Sequence, residues 1–382
     1  MTDSYENVEE LLRTTNPQKP VYCIYPRVYQ DRTKDFLDGF PGRVLYAVKA
    51  NNDPGVLKQI FEAGVRHFDC ASLPEIELIS RVCPGATMYH MNPVRYEGDA
   101  RRAQEEYGVR HFVVDHHSGL APLIDEIDPK NSVIFARMAV SHESALENLS
   151  AKFGARPENI PALLTAISDT GAEPALAFNV GTGVTDPEAY AYAIGVAKDA
   201  LEQIPFQIRL LDIGGGFPKS YPGLTVPSLD EYFARIRSAA EELNLADNGE
   251  LLAEPGRALS APGLSAVTRV LLRKTDRIYL NDGIYGAFWE LRFMGHLLYP
   301  CRSFRNGTPL AGETKAFKIF GPTCDSTDIL PARVALPANI EVGDHIEFGS
   351  LGAYSLSGRT DFNGFYSDNV VSFTNKNARP PE

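Results

Sequence analysis

The chain has 382 residues, of which 44% are hydrophobic, 23% charged and 10% aromatic. That is ordinary globular usage, and it excludes disorder and low complexity. Asp and Glu (49) outnumber Lys and Arg (37), and the formal net charge of −12 argues against bulk nucleic-acid binding and against an anionic membrane surface.

In chain order, residues 1–16 are polar and acidic and lack the apolar core of a signal peptide. Residues 21–25 are strand-like and fit either of two domains. Eight short apolar, β-branched or aromatic runs follow, at 44–48, 65–69, 87–90, 111–115, 133–138, 175–180, 208–213 and 251–254. Helix-like stretches fill the intervals, as at 54–63, 73–81, 96–107 and 189–202. Continuous apolar strands alternating with helices predict a parallel sheet covered on both faces. Eight such units predict an α/β fold of the closed (β/α)8 TIM-barrel type, with an open doubly wound sheet as the alternative.

After about residue 255, glycine and proline become frequent and helical periodicity fades. Strand-like runs at 265–272, 277–280, 316–319, 345–348 and 370–373 predict a mostly antiparallel β domain. The expected division is a barrel over 20–253 and a β domain over 1–19 and 254–382. No apolar run approaches the roughly 20 residues that cross a bilayer. The cysteines Cys23, Cys70, Cys83, Cys301 and Cys324 are scattered, and no Cys/His cluster suggests a metal. The expectation is a cytoplasmic protein in a reducing compartment, with no membrane or nucleic-acid partner.

Several residues at run ends carry chemical potential. Lys49 closes the run 44–48. A lysine there is costly to bury charged, so either its pKa falls or it is used covalently; a snorkelling strand-end lysine is the plainer reading. Gly214, Gly215 and Gly216 follow Asp212-Ile213. They expose backbone N–H groups to an anion, or simply make a tight turn. The segment does not match GxGxxG, and no GxxxxGK[ST] supports ATP binding. Glu254-Pro255-Gly256-Arg257 ends the last run. The arginine suits a phosphate and the carboxylate a protonated ring nitrogen, or the two form a structural pair. Cys324 beside Asp325 is a proton donor or an inert thiol.

Six segments follow one another along the chain: Tyr46-Ala47-Val48-Lys49-Ala50-Asn51, Phe68-Asp69-Cys70-Ala71-Ser72, Leu211-Asp212-Ile213-Gly214-Gly215-Gly216-Phe217-Pro218, Glu254-Pro255-Gly256-Arg257, Gly321-Pro322-Thr323-Cys324-Asp325 and Gly352-Ala353-Tyr354. With this set the chain resembles the ornithine/diaminopimelate decarboxylases, pyridoxal-phosphate enzymes on an alanine-racemase-like barrel. The resemblance runs from about residue 21 to 365. Asn281-Asp282-Gly283-Ile284-Tyr285-Gly286 and Phe362-Asn363-Gly364-Phe365 bring it nearest the ornithine decarboxylase branch.

The resemblance implies roles for individual residues. Lys49 would carry pyridoxal 5'-phosphate, and Glu254 would face its pyridine nitrogen. Gly214, Gly215, Gly216, Gly256, Arg257, Thr182 and Tyr354 would cradle the phosphate. Asp69, Glu75 and Arg137 would form a polar network beside the cofactor. Cys324 would protonate the product carbon. Cys324 and Asp325 would reach into a second subunit's site, so a head-to-tail homodimer is implied, with Lys152 and Asp328 as an intersubunit ion pair. Asp325, Tyr285, Met294, Arg359 and Phe362 are expected around the amino-acid substrate.

Two positions depart from the family pattern. Asn179 stands where the family has a ring-stacking histidine, and Met294 stands where ornithine decarboxylases have an aspartate that grips the distal ammonium. Arg359 and Asp361 occupy places usually held by small or uncharged residues, and Arg292 lies close to Met294. Two expectations stay open. One is ornithine decarboxylase-like chemistry, on the route to polyamines, with Asp325 and Glu290 compensating for Met294. The other is the same decarboxylation on a substrate with a neutral or acidic distal end. A non-catalytic regulatory homologue and an amino-acid racemase are the rivals from other classes. Lys49, Glu254, Arg257 and Cys324 disfavour the first, and Glu254 opposite the ring nitrogen disfavours the second.

Overall fold

The structure, a computed structural model, describes residues 3–147 and 149–382. Eight parallel strands, Arg43–Ala47, His67–Cys70, Thr87–His90, His111–Val114, Val133–Met138, Glu173–Phe178, Leu210–Asp212 and Glu250–Ala253, close into a barrel. Closure pairs the last strand with the first, Ala253 beside Val44. Alternate side chains of each strand serve two cores. Leu45, Tyr89, Val113, Phe135 and Leu252 pack together inside the barrel, while Val44, Tyr46, Phe68 and Phe112 pack beneath the helices. This double burial is why the strands read as unbroken apolar runs.

The helices follow from local sequence. Pro54–Glu62 starts where Asp53 Oδ1 accepts the N–H of Gly55 at 2.8 Å, with proline at the first turn and Val56, Leu57 and Ile60 buried. The helix expected over 96–107 begins later, at Asp99, because Gly98 has a left-handed φ of 84° that cannot continue a helix backward. Phe36, on the helix Pro26–Gly39, meets Phe217 and Phe233 edge-to-face, each at 4.9 Å. Such contacts contribute about 0.5–1.5 kcal/mol each beyond burial. They anchor Phe217 and so the glycine segment just before it.

The second sheet is mostly antiparallel. Its long strand, Leu264–Lys274, pairs antiparallel with Val21–Ile24, His345–Phe348 and Arg277–Leu280. Parallel pairings join Val370–Phe373 to Asp3–Tyr5 and to Val21–Ile24, and Arg277–Leu280 to Thr314–Phe320. The barrel limit expected at residue 20 is therefore corrected. Val21–Ile24 lies between Val370–Phe373 and Leu264–Lys274, and the barrel side begins with the helix Pro26–Gly39. All four residues of Val21–Ile24 are buried, so their composition does not separate them from a barrel strand. Among the described residues no helix is long and apolar enough to cross a membrane.

The two sheets meet at the C-terminal ends of the barrel strands. Tyr354 N–H donates to Ala50 O at 2.8 Å, and Asn51 Nδ2 donates to Gly352 O at 2.9 Å. Residues 352–354 of the β domain are thereby fixed against the turn that carries Lys49.

Candidate active site

Lys49 sits in the single turn Val48–Ala50, directly after the first barrel strand. Its Nζ lies 3.1 Å from Asp69 Oδ2 on the second strand, where Asp69 is only 2% exposed. The lysine side chain is 47% exposed, because it opens into a cavity of about 360 Å³ although protein surrounds it. Asp69, and then Glu254, hold the amine above the ordinary lysine range, outweighing the desolvation that opposes them. The cavity wall is completed by Thr182, Arg257, Tyr354, Trp289, Phe293 and Met294, among others. A smaller space of about 40 Å³ continues inward past Lys49, Thr182 and Arg257 to Asn179, Gly215, Gly216, Glu254 and Gly256.

Buried acids crowd the inner end. Glu254 follows the last strand, and burial, then the neighbouring Asp212, push its carboxyl well above the usual range. Asp212 ends the seventh strand, fully buried; burial raises its pKa too, although its Oδ1 accepts the Gly214 N–H at 2.8 Å. Two facing carboxyls favour a shared proton, since both cannot ionise cheaply in a dry site. Glu75, at the start of the helix Leu73–Val82, is pushed up to about 7 by burial while accepting the Ala71 N–H at 2.6 Å. Arg137, on the fifth strand, packs over Phe153 at 5.4 Å and works against the rise at Asp212 and Glu254.

The glycine segment is shaped by close approach. Gly214 has a φ of 70°, and a Cβ there would lie 2.3 Å from Phe178 O. A Cβ on Gly256 would come within 2.8 Å of Ala50 Cβ. Tyr354 adopts a left-handed φ of 55° and stacks under the Arg257 guanidinium at 5.4 Å. A non-glycine residue in that region costs on the order of 1–3 kcal/mol, a strain that collects at functional sites. Asn179 turns its Oδ1 to the Gly181 N–H at 3.0 Å, with its amide beside Gly215.

Residues 28–261 match the family model of the pyridoxal-binding domain of pyridoxal-dependent decarboxylases. The chain belongs to this family. A lysine/ornithine decarboxylase of Selenomonas ruminantium is 32% identical over 346 residues, covering 86% of this chain and 83% of that protein. Antizyme inhibitor 2 of Xenopus laevis is 31% identical over 367 residues, covering 88% of this chain and 76% of that one. The arginine decarboxylase of Paramecium bursaria Chlorella virus superposes with a TM-score of 0.85 at 28% identity, over 96% of this chain and 99% of that one. The protein is a pyridoxal-phosphate-dependent amino-acid decarboxylase.

The residues present fit that cofactor. An amine opens into the cavity, an acid with a raised pKa lies inward of it, and a glycine wall leaves no room for side chains. Arg257 Nε is buried without a partner, an orphan donor that an anion would fill. Thr182, Gly215, Gly216, Gly256, Arg257 and Tyr354 are brought together as the resemblance implies.

Other expected residues gather elsewhere. The Tyr285 hydroxyl donates to Asp325 and holds that carboxyl below its usual range. The Phe362 ring stacks on Tyr285 at 4.6 Å, and Arg292 lies over it at 5.3 Å. The Cys324 N–H donates to Asn363 Oδ1 at 3.2 Å, and its side chain is exposed. Cys324, Asp325, Tyr285 and Phe362 do not line the cavity at Lys49, nor does Arg292. Arg359 packs over Tyr22 at 5.0 Å, donates to the Tyr366 hydroxyl at 3.0 Å and likewise does not line this cavity. Asp328 is buried, and Ile284 N–H, Thr323 N–H and Thr323 Oγ1 all donate to it, while Lys152 lies over Phe153.

Two roles emerge only in three dimensions. Asp212 was visible as part of the glycine motif but carried no separate signal. Glu290 faces Arg257 because the short turn Trp289–Arg292 is folded against the barrel mouth, a placement no local pattern reveals.

Proposed function

We propose that the chain decarboxylates an α-amino acid whose distal end is uncharged, with its sites shared between two copies. When bound, pyridoxal phosphate supplies the electron sink for the bond that breaks as CO2 leaves. Lys49 would hold the cofactor and could pass a proton when the product leaves, and Asp69 keeps the lysine amine in place from the second strand. Glu254 would face the ring nitrogen and favour its protonated form. Leu149, Trp289 and Phe293 give the cavity an apolar wall, a setting that favours loss of neutral CO2.

Met294 carries the substrate reading. It is 4% exposed within the wall, where an ammonium would need an anion. Glu290 lies close by but is already paired with Arg257 at 2.7 Å. A distal ammonium placed here would lose its hydration without a free partner, at a cost of several kcal/mol. A distal carboxylate would face Glu147 and Glu290 and is disfavoured too. Cys324, exposed and outside its own chain's cavity, supports the shared site. Asp325 beside it favours a second reading, ornithine or lysine gripped by the partner's copy of that acid.

CO2 release decides between the two. The kcat/KM values for leucine, methionine and phenylalanine should exceed those for ornithine, lysine, arginine and glutamate by about tenfold or more. Ornithine or lysine leading by orders of magnitude would overturn the uncharged-substrate reading.

A further inference from the structure

Arg257 is the buried cation of the cofactor cradle, yet its charge is already engaged. Glu290 Oε2 lies 2.7 Å from its Nη2, and the two side chains are 5% and 4% exposed. Arg257 Nη1 donates to the Tyr221 hydroxyl at 3.0 Å. The Tyr299 hydroxyl donates to Glu290 Oε1. The Tyr221 and Tyr299 rings meet edge-to-face at 5.9 Å, so the four residues close a buried box. Met294 Sδ, at 3.3 Å from Nη2, caps it.

The box is incompletely satisfied. Arg257 Nε has no partner, and Glu290 Oε2 receives no aligned hydrogen bond despite its nearness to the guanidinium. The pair is thus held by charge more than by directed bonds. A settled structural pair would fill both atoms. Both residues line the cavity that Lys49 enters, so an anion arriving there meets the arginine and the carboxylate together.

We propose that Glu290 is a positioning residue that competes with the cofactor's phosphate for Arg257 and holds pyridoxal-phosphate affinity down. A phosphate dianion in the cradle gains the guanidinium but also faces a fixed negative charge across it. In a dry site that repulsion is large. The glycine N–H groups and Lys49 are untouched by it, so only phosphate recognition is weakened. The consequence is a cofactor held firmly through Lys49 and loosely through its phosphate, which favours exchange. The inference rests on the assignment of Arg257 to the phosphate and is independent of which amino acid is consumed.

The test is an absorbance titration of cofactor-free protein with pyridoxal phosphate and, separately, with pyridoxal. E290Q should bind pyridoxal phosphate about tenfold more tightly, with pyridoxal affinity unchanged within about twofold. E290M, a second neutral variant, should do the same and covers a folding loss in the first. Unchanged or weaker pyridoxal-phosphate binding in the folded variant overturns the inference, as does equal tightening for pyridoxal. R257M should reduce the preference for pyridoxal phosphate over pyridoxal about tenfold or more, the remainder coming from the glycine N–H groups. If R257M leaves that preference unchanged, the assignment of Arg257 to the phosphate falls; if R257M reduces it while the Glu290 variants do not tighten, only the competition falls.

Discussion

Glu75 gains by being protonated. Burial pushes it up to about 7, above the ordinary carboxyl value of 4.5. Between those values the folded chain holds a proton that the unfolded chain releases, so this residue's contribution falls as pH rises from about 4.5 to 7. E75Q keeps an acceptor for the Ala71 N–H and removes the ionisation. In urea unfolding of cofactor-free protein it should match the wild type near pH 4.5 and exceed it by about 1–3 kcal/mol at pH 8; parallel pH curves would contradict this. At Met294, M294D places an anion in the cavity wall and should raise kcat/KM for ornithine or lysine about tenfold or more. No gain would mean that the distal end lies elsewhere or that Arg257, 3.3 Å from Met294 Sδ, takes up the new carboxylate. Lys49 stands out in sequence as a lysine closing an apolar run, but that feature alone favours a snorkelling lysine, and its cofactor role comes from the ordered motif set. The packing of Arg359 on Tyr22 and Tyr366 was not legible, because one ring lies far away in the chain and the other is unremarkable in it.

At the scale of elements, the barrel was legible and the second sheet only partly so. All eight expected runs fall on barrel strands to within two residues at either end. Strands buried on both faces leave a continuous apolar signature. Cys301–Arg305 and Val334–Pro337 escaped notice because they alternate with exposed or charged residues and bury little. The glycine segment after the seventh strand makes a sharp prediction. G214A demands a left-handed alanine and a Cβ 2.3 Å from a carbonyl oxygen, and should cost on the order of 2–4 kcal/mol in urea unfolding. G195A is the control. Gly195 lies inside the helix Glu188–Leu201 with open space around it, so alanine there should stabilise by about 0.5–1 kcal/mol. Equal effects at the two sites would show that the turn after Asp212 is not conformationally demanding.

At the scale of the molecule, one chain presents two separate constellations. Lys49, Glu254 and Arg257 share a cavity, while Cys324, Asp325, Tyr285 and Phe362 gather outside it. Sequence order alone cannot say whether these meet, since that depends on how two copies pack. If they meet only between copies, K49A and C324A should each be impaired. Remixed subunits should then recover about a quarter of wild-type activity, since about half the dimers are mixed and each keeps one intact site. No recovery in proven mixed dimers would place Cys324 outside the neighbour's reaction. The chemistry at the barrel mouth turns on Lys49 carrying the cofactor. Borohydride reduction of the pyridoxal-phosphate-loaded protein, followed by peptide mass mapping, should find a phosphopyridoxyl adduct on Lys49 that K49A lacks; an unlabelled Lys49, or a label on another lysine, would overturn that role.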